Sequence, residues 1–167
     1  MITSDELNKA IENFAKSISK HTPGLVYHMT ASGAKATNCI SNVLQFVEKY
    51  GGSVKYGWTF NHRVSPEYGD YLFSTHHAVW HAPDGKLIDI TPFHKDQKHH
   101  PITVNGSVLF LIDDYAEPIQ VENYLIPRPL KYYPIRRNKE TEQYMKRLKN
   151  NEIKYYKDIF RINIEEP

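Results

Sequence analysis

The stretch HHAVWHAPDGKLIDITP, residues 76–92, reads as two short strands around a turn, with two histidines at one end and Asp89 near the other. In Ala82-Pro83-Asp84-Gly85-Lys86 the proline suits the second position of a type I turn and the aspartate the third. Gly85 then supplies the left-handed residue of a bulge that closes a three-residue loop. This loop pairs Ala82 with Lys86, Val79 with Asp89 and His77 with Thr91. The competing two-residue turn, Asp84-Gly85, sets Pro83 opposite Lys86, where a backbone N–H is wanted and proline has none. In the favoured register His77 and Asp89 are diagonal neighbours on one face, roughly 7–8 Å apart at the backbone. Ala78, Trp80, Ile88 and Ile90 share the opposite face and make a core surface. His76 falls on that core face, where a structural role bonded to backbone is expected.

Working outward, the flanking chain alternates between helical and strand periodicity. Thr3 and Glu6 fit a capping box, and Leu7, Ile11, Phe14, Ala15 and Ile18 follow at helical spacing before Pro23-Gly24. LVYHM is a short extended segment, and TASGAKATN reads as a loop. In CISNVLQFVEKYGG, Ile40, Val43, Leu44 and Val47 form an apolar stripe, Thr37 or Asn38 is the N-cap, and Gly51-Gly52 is the stop. Cys39 thus stands in the first turn of a helix, beside the stripe.

SVKYGWTF alternates cleanly through Val54, Tyr56, Trp58 and Phe60, and DYLFSTHHAVW, KLIDIT and SVLFLID read as further strands. From Glu117 to Pro134 the chain carries Pro118, Pro127, Pro129 and Pro134 and is expected to be extended, as wrapping loop or edge. A charged C-terminal helix follows, with Asn150-Asn151 as the place for a break. The expected fold class is α+β, with an antiparallel sheet packed against the helix that carries the cysteine. The expected organisation is a single domain over 1–167, with a catalytic core at 24–113, a Pro-rich wrapping segment at 114–137 and a charged helix at 138–161.

The composition suits a globular protein: 167 residues, 40% hydrophobic, 24% charged and 13% aromatic, with one cysteine. A domain near that size buries roughly 70% of its unfolded surface. One cysteine excludes an intrachain disulfide and any multi-cysteine zinc site within the chain. No apolar run approaches the roughly 20 residues of a membrane span. The amphipathic, early-acidic N-terminus is wrong for a signal peptide, so a soluble cytoplasmic protein without membrane partners is expected.

Cys39 supplies the chemistry that the hairpin lacks. A helix N-terminus and a nearby imidazolium both stabilise a thiolate. A carboxylate that fixes the imidazole completes a nucleophile, a general base and an orienting group. Cys39, His77 and Asp89 are the expected catalytic residues. The backbone N–H of Cys39 can help hold an oxyanion, with Asn38 or the Trp58 indole as a second donor.

A cysteine opening a helix, a later H-A-x-W, a glycine turn and then I-D-I-T-P resembles the transglutaminase-like branch of the papain-like cysteine enzymes. The likeness covers about Asn38 to Pro92. It departs from the family pattern in HHAVW, which has an extra residue before the tryptophan, and in TNCIS at the helix start. The resemblance implies attack on a carboxamide carbonyl through an acyl-thioester, with a peptide or protein substrate and no cofactor. Water as acceptor gives proteolysis or deamidation, and an amine gives transamidation.

Two other readings compete. His76, His77, His81, His94, His99 and His100 suit a metal protein, with Asp89 or Cys39 as further ligands, although no helical H-x-x-x-H or H-E-x-x-H is present. Between Arg128 and Arg161 stand eleven Lys/Arg against four Asp/Glu. There Lys131, Tyr132, Tyr133, Arg136 and Arg137 suit a non-enzymatic module that grips nucleic acid.

Overall fold

The computed structural model describes residues 1–165. In chain order the elements are α1 (Ser4–Ile18), β1 (Gly24–His28), α2 (Cys39–Tyr50), β2 (Ser53–Arg63), β3 (Tyr71–His81), β4 (Leu87–Asp89), β5 (Thr103–Val104), β6 (Ser107–Ile112), β7 (Ile119–Val121), β8 (Tyr124–Ile126), β9 (Lys131–Pro134) and α3 (Lys139–Tyr155). The mixed α+β class follows from this order.

The two long alternating stretches form the centre of the sheet, β2 and β3, paired antiparallel from Ser53–His81 to Arg63–Tyr71. Beyond β3 lies β4, and beyond β2 lies β6. β1 then pairs with both β4 and β6, so β1, β4, β3, β2 and β6 close a ring. The expectation of an antiparallel sheet is corrected at one place: β1 runs parallel to β4, with Tyr27 against Ile88 and His28 against Asp89. A parallel pair needs a long crossover, and α2, β2 and β3 supply it.

Alternation sorts the side chains between the two sides of this ring. Val26, Val79 and Phe110 pack together inside, with Leu87 and Ile112 against them. Outside, α1 lays Ala10, Ile11, Phe14 and Ala15 on Trp58, Phe60, Leu72 and Leu111. α2 lays Ile40 and Val43 on Ala78 and Ile90. The capping box of α1 is formed in both directions between Thr3 and Glu6.

The hairpin takes the register set by its proline. Trp80 stands opposite Ile88 and His81 opposite Leu87, the Ala82 N–H donates to the Lys86 carbonyl at 2.8 Å, and Gly85 has φ of +91°.

The Pro-rich segment is more ordered than a wrapping loop. β7 and β8 form a separate two-stranded arm, and β9 pairs with β3 from Tyr71–Pro134 to Ser74–Lys131. As the outermost strand, β9 can end in a proline. The C-terminal helix is not broken at Asn150-Asn151. Both asparagines face solvent, so their low helix propensity costs little. The helix changes character only at Tyr156–Phe160, a π-helical turn whose Tyr156 is buried. Among the described residues no helix is long and apolar enough to cross a membrane.

Candidate active site

One edge of β3 is shared between two neighbours. β9 takes residues Tyr71 to Ser74, and β4 takes Trp80 and His81. Between them the edge lies open, and the candidate site occupies this gap. It is a cleft of about 380 Å³ whose lining includes Thr37, Cys39, Thr75, His77, Thr91 and Pro127. Sheet pairing elsewhere fixes both lips, so the gap is set by the lengths of β4 and β9.

Cys39 is the first residue of α2 and is partly exposed. Three local features aim it at the gap. Thr37 has φ of +68°, left-handed for a β-branched residue, and turns the chain sharply into the helix. Asn42, one turn on from Cys39, donates to the Lys35 carbonyl and to Thr91 Oγ1 and accepts the Lys35 N–H. It therefore ties the approach loop to the segment after Asp89. Third, the Ile90 carbonyl, the natural next partner for Ala78 in the hairpin, instead accepts the Ala31 N–H at 3.1 Å. The Ala78 N–H is thereby left for the Cys39 sulfur.

His77 and Asp89 meet across the diagonal of the hairpin, with Nε2 and Oδ2 3.0 Å apart. The other carboxylate oxygen of Asp89 accepts the Thr91 N–H at 3.1 Å. The Asp89 side chain is 3% exposed and that of His77 14% exposed. The phenyl ring of Phe110 stands edge-on to the imidazole, with centroids 6.3 Å apart. Because Nε2 faces Asp89, Nδ1 is the ring nitrogen left to serve the thiol.

The electrostatics follow from this triangle. Burial pushes the Cys39 thiol up, but the charge and hydrogen bond of His77 and the Ala78 N–H outweigh it, and the thiol titrates below its ordinary value. Burial alone would lower the His77 basicity. The Asp89 carboxylate and the Cys39 thiolate reverse this and hold His77 well above its usual range. Asp89 is raised by burial and lowered more strongly by His77 and the Thr91 N–H, so it stays ionised. The arrangement favours a thiolate beside an imidazolium.

Asn38 and Trp58 were the expected oxyanion donors. Asn38 is the N-cap residue and is exposed, and its side chain caps nothing. Its amide is therefore uncommitted to the helix, as is the Cys39 N–H in the first turn. Trp58 is corrected. Its indole N–H donates to Asp113 at 2.8 Å and the residue is 1% exposed. Alternation puts Trp58 on the face that packs α1, whereas its neighbour Thr59 lines the cleft.

His76 behaves as its face of the strand requires. It is buried, its Nε2 hydrogen-bonds to the Ala116 carbonyl at 2.6 Å, and its Nδ1 accepts the Arg128 N–H at 3.1 Å. Burial, chiefly, lowers its pKa to about 4.

Several residues that shape the site escaped the sequence reading. Gly57 pairs with His77 on one side and Ile112 on the other, and a Cβ there would lie 1.9 Å from the Leu111 carbonyl oxygen. A glycine inside an alternating strand was the available signal for such close approach. Asn42 and Thr91 carried no signal, since their partners are distant in sequence.

Among the described residues no three His, Cys, Asp or Glu side chains are arranged to share a metal ion. The basic groups near the C-terminus are partly engaged within the chain. Arg136 binds Glu6 at 2.7 Å, Arg137 lies 3.7 Å from Glu142 and over the Tyr133 ring, and Lys131 lies over Trp58. No family model, curated protein or solved structure matches the chain.

Proposed function

We propose that the chain is a cysteine-nucleophile enzyme of the transglutaminase-like, papain-like kind, acting on carboxamides through an acyl-thioester. The observation that carries this reading is the convergence of Cys39 at a helix start with the His77–Asp89 pair, whose carboxylate is buried, in one open cleft. A helix that presents its first residue to a gap in a mostly antiparallel sheet supports the same reading.

In the proposed reaction the Cys39 thiolate attacks the carbonyl carbon of the carboxamide, and a C–S bond forms. The developing oxyanion is held by the Cys39 N–H and the Asn38 amide. The His77 imidazolium gives its proton to the leaving nitrogen as the C–N bond breaks, releasing ammonia or an amine. Neutral His77 then takes a proton from water or from an acceptor amine, which attacks the thioester and frees the thiol. Asp89 keeps the ring oriented and stabilises its charged form throughout.

The test uses a generic acyl donor, p-nitrophenyl acetate. The expected result is a burst of nitrophenol and an acetyl group on Cys39, seen by peptide mass spectrometry and removed by hydroxylamine. Cys39→Ala abolishes both. A folded protein that gives neither a burst nor an adduct overturns the proposal.

A further inference from the structure

We propose that His76 is a positioning residue that clamps the roots of the β7–β8 arm and so holds Pro127, at the arm's return, as one wall of the cleft, and that this wall filters by size what reaches the Cys39 sulfur. This rests on reading Cys39 as the nucleophile.

The arm leaves the body of the protein at Ala116 and returns at Arg128, and both roots are bonded to the two ring nitrogens of one buried histidine. A third bond joins the roots to each other, from Arg128 Nε to the Glu117 carbonyl at 2.6 Å. Among the described residues its strands pair only with each other, through Ile119–Ile126, Gln120–Leu125 and Val121–Tyr124, and Ile126 is buried at the root end. Its position therefore depends on its roots.

Those roots matter to the site because Pro127, and Leu130 just beyond, line the cleft together with Cys39 and His77. His76 and His77 are consecutive, so one strand carries both the general base and the clamp on the opposite wall. Of the two charge states of the imidazole only the neutral one offers a donor and an acceptor at once, which is what Ala116 and Arg128 require. The Tyr156 hydroxyl bonds the Pro127 carbonyl and fixes the same wall from the C-terminal side. With the wall in place the cleft, at about 380 Å³, is at the small end of ligand sites, roughly 300–1,000 Å³.

The experiment compares the rate of Cys39 alkylation by iodoacetamide with that by a bulky fluorescein maleimide. It also measures amide hydrogen exchange across residues 119–126. The intact protein is expected to favour the small reagent strongly. In His76→Leu the bulky reagent gains on the small one by about tenfold or more, the change expected when two bonds holding the closed arm are lost. Exchange in the arm rises in parallel. His76→Gln, which keeps one donor and one acceptor, recovers most of the size preference. Arg128→Pro deletes the N–H partner of His76 and, with the side chain, the bond to the Glu117 carbonyl, without touching the sheet. Measured against Arg128→Ala, which loses only the latter, it moves both readouts the same way if His76→Leu fails to fold. A size preference and exchange pattern unchanged in folded His76→Leu or Arg128→Pro, with iodoacetamide still reacting at Cys39, overturn the clamp alone. A Cys39 that is inert to iodoacetamide in the folded wild type overturns the nucleophile reading and the filter with it.

Discussion

His77 Nε2 lies 3.0 Å from Asp89 Oδ2 although the two residues sit twelve apart in sequence and two rungs off direct pairing in their hairpin. The contact assigns the two ring nitrogens, one to the carboxylate and one to the thiol. The thiolate that results is expected to persist well below the pH at which a free cysteine ionises. At pH 6.5 a thiol with the unperturbed pKa of about 8.5 is roughly 1% ionised, so His77→Ala should slow iodoacetamide labelling of Cys39 by up to about a hundredfold there. Labelling rates from pH 5 to 10 check this. The wild-type midpoint should fall below that of the variant, and coincident midpoints would sink it.

Asp89→Asn removes the charge that raises His77 while leaving an amide of similar shape. The carboxylate also raises the thiol directly, but this is the smallest of the influences on Cys39 and the His77 charge the largest that lowers it, so with less imidazolium at a given pH the thiol midpoint moves up. At pH values below that midpoint labelling slows roughly tenfold for each unit of the shift. The variant should stay more reactive than His77→Ala, because an imidazole is still present. Equal loss in the two variants would show that Asp89 does more than orient and charge the ring.

How far this site could be read before the structure depended on sequence distance. The His77–Asp89 pair was accessible because a short turn with a proline and a glycine fixes the register of everything near it. Cys39 was placed at a helix start by Ile40, Val43 and Val47, which repeat within a few residues. The closure of the ring by β1 was not accessible, because GLVYH carries no mark of which strand it will join. The clamp on Ala116 and Arg128 was hidden for the same reason, although alternation had already sent His76 to the buried face. Trp58 is not a donor to the site because its indole is taken by Asp113, 55 residues on in the sequence.

Gly57 gives the most direct test of the ring's tightness. Its missing side chain lets the backbone of β6 pass close, and a Cβ would lie 1.9 Å from the Leu111 carbonyl oxygen and 2.9 Å from the Phe110 ring. Neither the paired backbone nor the packed ring can move without disturbing the wall behind His77. Gly57→Ala should therefore destabilise the fold by about 2–4 kcal/mol. Urea unfolding monitored by tryptophan fluorescence measures this, and a midpoint equal to wild type would refute the close approach.

His76 also makes the fold acid-sensitive in a predictable window. Its pKa is lowered to about 4, chiefly by burial, from an ordinary 6.5. A group held neutral by the fold contributes its full stability above the unfolded pKa and loses it as pH falls toward the folded one. The window is therefore pH 6.5 down to about 4. The loss across it is about 3 kcal/mol, from roughly 1.4 kcal/mol per unit. Protonation also converts Nδ1 from acceptor to donor, so the Arg128 N–H loses its partner. Other groups titrate in the same range, and His77 contributes with the opposite sign because its pKa is raised. The decisive quantity is thus the difference between wild type and His76→Gln, whose amide does not titrate. That difference should be constant above pH 7 and shift by about 3 kcal/mol against wild type between pH 6.5 and 4, measured by urea unfolding at each pH. A difference that stays flat across the window would show that His76 can be charged in the folded state without breaking its hold on the arm.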